Sequence, residues 1–119
     1  MTQHEALAHE AFKKLIARRR ALLRLVPELA QQEQAERESA PNDWIDRAVS
    51  VETETLLKKL ADTERKELTE IDAALERIAN HQFGVCEGCG RSIPKRRLEA
   101  LPEARTCVAC GEERERVAG

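Results

Sequence analysis

Hydrophobic residues in the first 38 positions form one stripe along an otherwise polar segment. Three leucines recur at steps of seven, and two further apolar residues fill the stripe between them: Leu15, Leu22, Leu29, Leu25 and Val26. The segment from about 5 to 38 lacks glycine and is rich in Ala, Leu, Gln, Glu, Lys and Arg, which favour helices. This pattern predicts a long helix with a coiled-coil seam.

A second stripe follows between positions 57 and 78, at steps of three and four residues. Its members are Leu57, Ala61, Leu68, Ile71, Leu75 and Ile78, with Glu64 as one polar exception. Neither narrow stripe can be shielded from water by its own helix, so the sequence predicts that the two helices fold back as an antiparallel hairpin. Arms of about 30 residues would make a rod of about 45 Å.

Two prolines interrupt this helical pattern. Pro27 lacks a backbone N–H and crowds the carbonyl four residues earlier, which predicts that the first helix is kinked or divided there. Pro41 ends the first arm, and Asn42 or Asp43 then caps the second. The tip of the hairpin is therefore predicted at about 40–48.

The predicted tip carries acidic and aromatic residues. Asp43 and Asp46 lie in the first turn of the second helix, where a capping role and the helix dipole explain carboxylates without any further function. Trp44 and Ile45 lie between them, at the point furthest from a core, which indicates a partner surface. The residues alone leave both interpretations open.

The chain has four cysteines, arranged as two Cys-x-x-Cys pairs with seventeen residues between them: Cys86, Cys89, Cys107 and Cys110. This spacing is typical of a closed four-thiolate Zn²⁺ site. Two disulfides, or redox chemistry of one pair, are the alternatives. Around the metal we expect a short helix between Ser92 and Leu101 and a small apolar cluster of Phe83, Val85, Ile93, Leu98, Leu101 and Val108, too small to persist without zinc.

Composition agrees with a metal-stabilised helical protein. Aromatic residues make up 3% of the 119 residues, charged residues 35%, and the formal net charge is −2, a balance that disfavours nucleic-acid binding. The first ten residues contain no apolar run, and no eighteen apolar residues are consecutive, so we expect a cytosolic protein without a membrane segment. No serine lies beside a histidine and there is no glycine-rich phosphate loop, so no enzymatic activity is predicted.

These observations predict an all-α protein with two parts. Residues 1–80 would form the antiparallel coiled-coil hairpin, and residues 81–119 a small four-cysteine zinc-binding domain with a short C-terminal helix.

The tip and the cysteine region together resemble the DksA/TraR family. Asp43-Trp-Ile-Asp46-Arg-Ala48 is similar to the family's Asp-x-x-Asp-x-Ala signature. Phe83-Gly-Val-Cys86-Glu-Gly-Cys89-Gly and the run from Ile93 to Pro102 resemble its zinc finger. The resemblance covers about residue 40 to the end, whereas the first arm is similar only in its heptads.

The resemblance implies a regulator that binds RNA polymerase and not DNA. We also expect the protein to be a monomer. In this family the hairpin enters the secondary channel of the polymerase, and the tip alters the lifetime of promoter complexes. The tip roles would fall on Asp43, Asp46 and Ala48, while Trp44 is an aromatic that the signature does not require. Family members that respond to ppGpp use basic residues at positions that correspond to Glu70, Leu101 and Gly111, none of which is basic. Weak or absent ppGpp synergy is therefore expected.

Two other functions stay open on the sequence. A Gre-type transcript-cleavage factor also has an acidic-tipped hairpin, whose carboxylates help to bind a catalytic Mg²⁺ in the polymerase. A zinc-ribbon DNA-binding or adaptor module would explain the cysteines, although the acidic balance gives it little support.

Overall fold

Six helices account for most of the described chain. The structure is a computed structural model that describes residues 3–35 and 51–118. Its helices are α1 (Gln3–Leu23), α2 (Pro27–Ala35), α3 (Val51–Leu57), α4 (Asp62–Ala79), α5 (Lys95–Ala100) and α6 (Val108–Ala118). Within these ranges, β pairing is limited to an isolated antiparallel bridge between Val85 and Ser92. The predicted all-α class is confirmed.

The two arms pack against each other in antiparallel register. α1 packs on α4, and α2 packs on α3. Arg18 pairs with Glu67, whereas Glu28, ten residues further along the first arm, pairs with Lys59, eight residues earlier in the second. The residue number of the partner in the second arm thus decreases as the residue number in the first arm increases. The arms are therefore antiparallel, and the predicted hairpin is confirmed.

The heptad stripes supply most of the buried seam. Leu15, Leu22, Val26 and Leu29 of the first arm and Leu68, Ile71 and Leu75 of the second are all buried. Ala74, which is fully buried, was missed by the sequence pattern. Two predicted seam residues are wrong: Leu25 is 57% exposed and Ala61 is exposed, because both lie in breaks between helices.

The break in the first arm is a division at Pro27. α1 ends at Leu23, and Pro27 is the first residue of α2, a position where its missing N–H costs nothing. Between the helices, the N–H groups of Leu25 and Val26 donate to carbonyls three residues earlier, at 3.1 Å each. Leu25 thereby turns outward, while Val26 stays in the seam.

The second arm is also divided, although the sequence pattern predicts one helix there. α3 ends at Leu57 and α4 begins at Asp62. The N–H of Ala61 donates to the Glu64 carboxylate at 2.8 Å, so the polar exception in the stripe caps the start of α4. Leu60, inside the break, is buried.

Both arms are interrupted at the same level, although the sequence predicted an interruption in the first arm only. The principal extents of the molecule are 40 × 39 × 22 Å. No helix in the described ranges combines the length and the apolar character that crossing a bilayer requires. The predicted tip, including Asp43, Trp44, Asp46 and Ala48, lies outside the described residues.

Replacing Glu64 by alanine tests the division of the second arm. In the described structure this change removes the acceptor for the Ala61 N–H, and we expect a loss of about 1 kcal/mol in the free energy of unfolding measured with urea. Glu64→Gln keeps an acceptor oxygen and should lose less. In a continuous helix Glu64→Ala would instead be neutral or stabilising, since alanine favours a helix and removes a charge from the seam.

Candidate metal centre

A tight turn after α4 carries the first cysteine pair. His81 and Gly84 have φ angles of 58° and 84°, which reverse the chain after the helix ends. The N–H of Cys86 donates to the Arg91 carbonyl at 2.8 Å, and the N–H of Gly90 donates to the Cys86 carbonyl at 2.9 Å. These bonds close a loop in which the sulfur atoms of Cys86 and Cys89 lie close together.

The second pair is positioned by the start of α6. Cys107 directly precedes the helix and Cys110 lies in its first turn, where the N–H of Gly111 donates to the Cys107 carbonyl at 2.9 Å. The two pairs approach so closely that a Cβ on Gly88 would lie 2.9 Å from both Cβ and Sγ of Cys110. Glycine is therefore required at position 88.

The four sulfur atoms fit a tetrahedral zinc ion. All four lie within 4.8 Å of one another, and Sγ of Cys86 is 3.8 Å from Sγ of Cys107. A tetrahedron with Zn–S bonds of about 2.3 Å has edges of about 3.8 Å. The cysteines are not joined as disulfides. An all-sulfur tetrahedral donor set is the one that zinc prefers in structural sites, so Cys86, Cys89, Cys107 and Cys110 are the residues that would hold it.

Backbone N–H groups favour a thiolate at Cys86. The pKa of its thiol is lowered to about 6, chiefly because the N–H of Cys107 donates to its sulfur, with smaller contributions from the N–H groups of Cys89 and Gly88. The N–H groups of Cys107 and Gly88 lie 3.3 Å from that sulfur. The pKa of Cys110 is raised to about 12, first through hydrogen bonds with the Cys107 and Cys86 side chains. Four such close sulfurs cannot all ionise unless a cation offsets their charge.

The apolar cluster beside the metal centre is smaller than predicted. Phe83, Ile93 and Leu98 are buried, but Val85, Leu101 and Val108 are exposed by 43%, 44% and 49%. The predicted short helix is present as α5, which follows Pro94 and packs on α1. The predicted C-terminal helix is present as α6, which begins at Val108, directly after the third cysteine.

Sequence reasoning missed how the polar side chains hold the finger. Arg97 donates from Nε to the Thr106 carbonyl at 2.7 Å. Arg105 forms two hydrogen bonds with the Glu70 carboxylate, at 2.6 and 3.2 Å. No motif marks these arginines, because their partners are distant in the sequence.

The fold and the metal centre define a class of zinc-finger proteins built on a helical hairpin. Two family models match the chain: the prokaryotic dksA/traR C4-type zinc finger at residues 81–116, and the DnaK suppressor protein-like N-terminal domain at residues 12–78. The chain therefore belongs to the DksA/TraR family, and its cofactor is zinc.

Individual relatives agree with this assignment. An uncharacterized protein of Aquifex aeolicus is 39% identical over 98% of this chain and 81% of its own length. The RNA polymerase-binding transcription factor DksA of Escherichia coli is 41% identical over 57% of this chain and 45% of its own length, so the match spans less than half of that relative. The structure of transcription factor DksA2 from Pseudomonas aeruginosa superposes with a TM-score of 0.61 and 26% identity, over 95% of this chain and 86% of that one.

Replacing Gly88 by alanine tests whether the two cysteine pairs lie too close together for a side chain at position 88. The new Cβ would displace Cys110, and we expect the zinc affinity, measured by competition with a chelator, to fall by about 10-fold or more. Gly90→Ala is the matched control, because its Cβ would meet nothing within 4 Å although its φ of +75° disfavours alanine. Equal zinc affinities in the two variants would contradict the proposed crowding.

Removing zinc should unfold the finger and leave the hairpin helical. The finger buries few apolar residues, whereas α1–α4 bury a continuous seam. We expect a chelator to abolish amide protection in residues 86–110 while most of the helical circular dichroism is retained. Lowering the pH should release zinc as well, because protons compete with the metal for all four sulfurs. Loss of all helical signal with the zinc would contradict this expectation.

Proposed function

We propose that this chain binds RNA polymerase and modulates promoter complexes, with its hairpin tip in the secondary channel of the enzyme. The observation that carries the proposal is the shared architecture of both parts: the family models match the hairpin and the finger in order, and the DksA2 structure matches over 95% of the chain. Relatives bear the name RNA polymerase-binding transcription factor. We further propose that the protein acts in the cytoplasm, as a monomer and without enzymatic activity.

The arrangement of the helices supports different roles for the finger and for the hairpin. α4 runs into the metal centre, and α5 packs on α1 at that end of the hairpin. α2 and α3 pair at the opposite end, and the segment that joins them carries Asp43, Trp44, Asp46 and Ala48. We propose that residues 81–119 anchor the protein on the polymerase surface while residues 1–80 present the tip.

The proposed tip chemistry is electrostatic. Carboxylates of Asp43 and Asp46 would pair with basic groups of the polymerase or perturb a metal-bound site near its active centre. Ala48 would keep the tip narrow. Direct DNA binding is not proposed, since the chain has a formal net charge of −2.

Weak ppGpp synergy is also proposed. Of the three positions that carry basic residues in ppGpp-responsive relatives, Glu70 is acidic and its carboxylate is hydrogen-bonded to Arg105. Leu101 is apolar and Gly111 has no side chain. None of the three offers a cation to a phosphate.

A double variant at the tip tests the proposed mechanism. We expect Asp43→Asn/Asp46→Asn to bind core polymerase in a pull-down as well as the wild type does, but to lose most of the effect on run-off transcription. Glu10→Gln/Glu76→Gln, which removes two exposed charges from α1 and α4 outside the proposed anchor and tip, is the matched charge control. Retained regulation by the tip variant would contradict the role of the carboxylates. Release of short 3′ RNA from backtracked complexes would instead indicate a cleavage factor.

Transcription from a stringently controlled promoter tests the ppGpp proposal. With the protein present, we expect added ppGpp to change the transcript yield by less than about 2-fold beyond its effect alone. Strong synergy would show that cationic groups other than those at positions 70, 101 and 111 receive the nucleotide.

A further inference from the structure

An irregular segment of four residues leads from α5 into the second cysteine pair. This segment, Glu103–Thr106, is here named the strap; it directly precedes Cys107. Thr106 is 5% exposed and is the one buried polar residue among those that the structure describes, while the other three strap residues are half-buried. Carbonyl groups of a partly buried segment outside a helix need other hydrogen-bond donors.

Every carbonyl group of the strap receives such a donor. Nη2 of Arg77 donates to the carbonyls of Glu103 and Ala104, at 3.2 and 3.5 Å. The N–H of Glu87 donates to the Arg105 carbonyl at 2.9 Å. Nε of Arg97 donates to the Thr106 carbonyl at 2.7 Å. The donors come from three different elements, namely α4, the first cysteine loop and α5.

Side-chain ion pairs bind the strap to the same elements. The guanidinium of Arg105 pairs with Glu70 on α4 at 2.6 Å and with Glu87 in the first cysteine loop at 3.4 Å. Glu87 also pairs with Arg114 of α6 at 3.6 Å. The strap thus connects the hairpin, both cysteine pairs and the last helix.

Arg77 is the hairpin residue that donates to main-chain carbonyls of the strap. It is half-buried, and burial is the first cause of the lowered pKa of its guanidinium, followed by repulsion from Arg105. A partly desolvated guanidinium that donates to main-chain carbonyls fixes their position more firmly than a solvated ion pair does.

A shift of the strap would disturb the metal centre at two points. Cys107 continues directly from Thr106, so its sulfur would move with the strap. The N–H of Cys107 also donates to the sulfur of Cys86, so a second ligand would lose its hydrogen bond. Groups that orient metal ligands from outside change metal affinity by about 10- to 100-fold when they are removed.

We propose that the strap couples zinc binding to the attachment of the finger on the hairpin, with Arg77 as a positioning residue for the metal centre. Coupling between two binding events is reciprocal. If the contact of Arg77 with the strap raises the affinity for zinc, then bound zinc strengthens the attachment of the finger to α4 by the same factor. The proposal goes beyond polymerase binding, and its test needs no polymerase.

Zinc transfer from the full-length protein to a chromogenic chelator tests the coupling. We expect Arg77→Met, which removes the donors and keeps an unbranched side chain, to release zinc about 10-fold faster than the wild type. Arg77→Lys keeps one cationic donor and should give an intermediate rate. Lys59→Met is the matched control, because Lys59 joins the two arms through Glu28 at the end of the hairpin remote from the strap.

The rates distinguish positioning from general stability. Fast release in Arg77→Met alone, with partial rescue by lysine, supports the proposal. A wild-type rate in Arg77→Met would overturn it, and so would equally fast release in Lys59→Met, because that would reflect destabilisation of the whole hairpin.

Hydrogen exchange of the wild-type protein provides a second test that requires no variant. On zinc removal we expect faster exchange in residues 103–106 and in the last turn of α4 around Arg77, with unchanged exchange in the middle of α1. Unchanged exchange at the end of α4 would show that zinc removal does not alter the contact between α4 and the strap, and this result would contradict the proposal.

Discussion

Charge compensation at four converging sulfur atoms is the constraint on which the finger depends. The sulfurs lie within 4.8 Å of one another, so ionised thiols repel strongly unless a divalent cation lies among them. Few apolar side chains are buried beside them, mainly Phe83, Ile93 and Leu98. Metal bonds therefore replace a hydrophobic core in this part of the chain. The hairpin is stabilised differently, by apolar side chains of two arms that shield each other from water.

The junction between these two parts is polar. Arg77 and Arg97 donate to carbonyl groups of the strap, and Arg105 of the strap donates to the Glu70 carboxylate on the hairpin. Such partly exposed ion pairs add little to net stability, but their directional hydrogen bonds determine how the finger is oriented.

The sequence predicts features that depend on local spacing and misses those that depend on distant partners. Heptad spacing predicts Leu15, Leu22 and Leu29 in the seam, and two Cys-x-x-Cys pairs predict the zinc centre; both predictions are confirmed. The break before α4 was missed, because Glu64 interrupts the stripe without being recognisable as a cap until the start of the helix is known. The arginine contacts could not be predicted, since a guanidinium bonded to main-chain carbonyls leaves no periodic pattern in the sequence.

The interruptions at 24–26 and 58–61 divide each arm of the hairpin into two helices. Each arm restarts its helix after the break, with Pro27 on one side and the Glu64 cap on the other. Leu22 before the first break and Leu29 after it are seven residues apart and both buried, so the heptad phase is kept across the division. Each residue inserted or deleted in a helical arm rotates every later side chain by about 100° around the helix axis. A change of one residue at the first break would therefore turn the buried face of α2 away from α3.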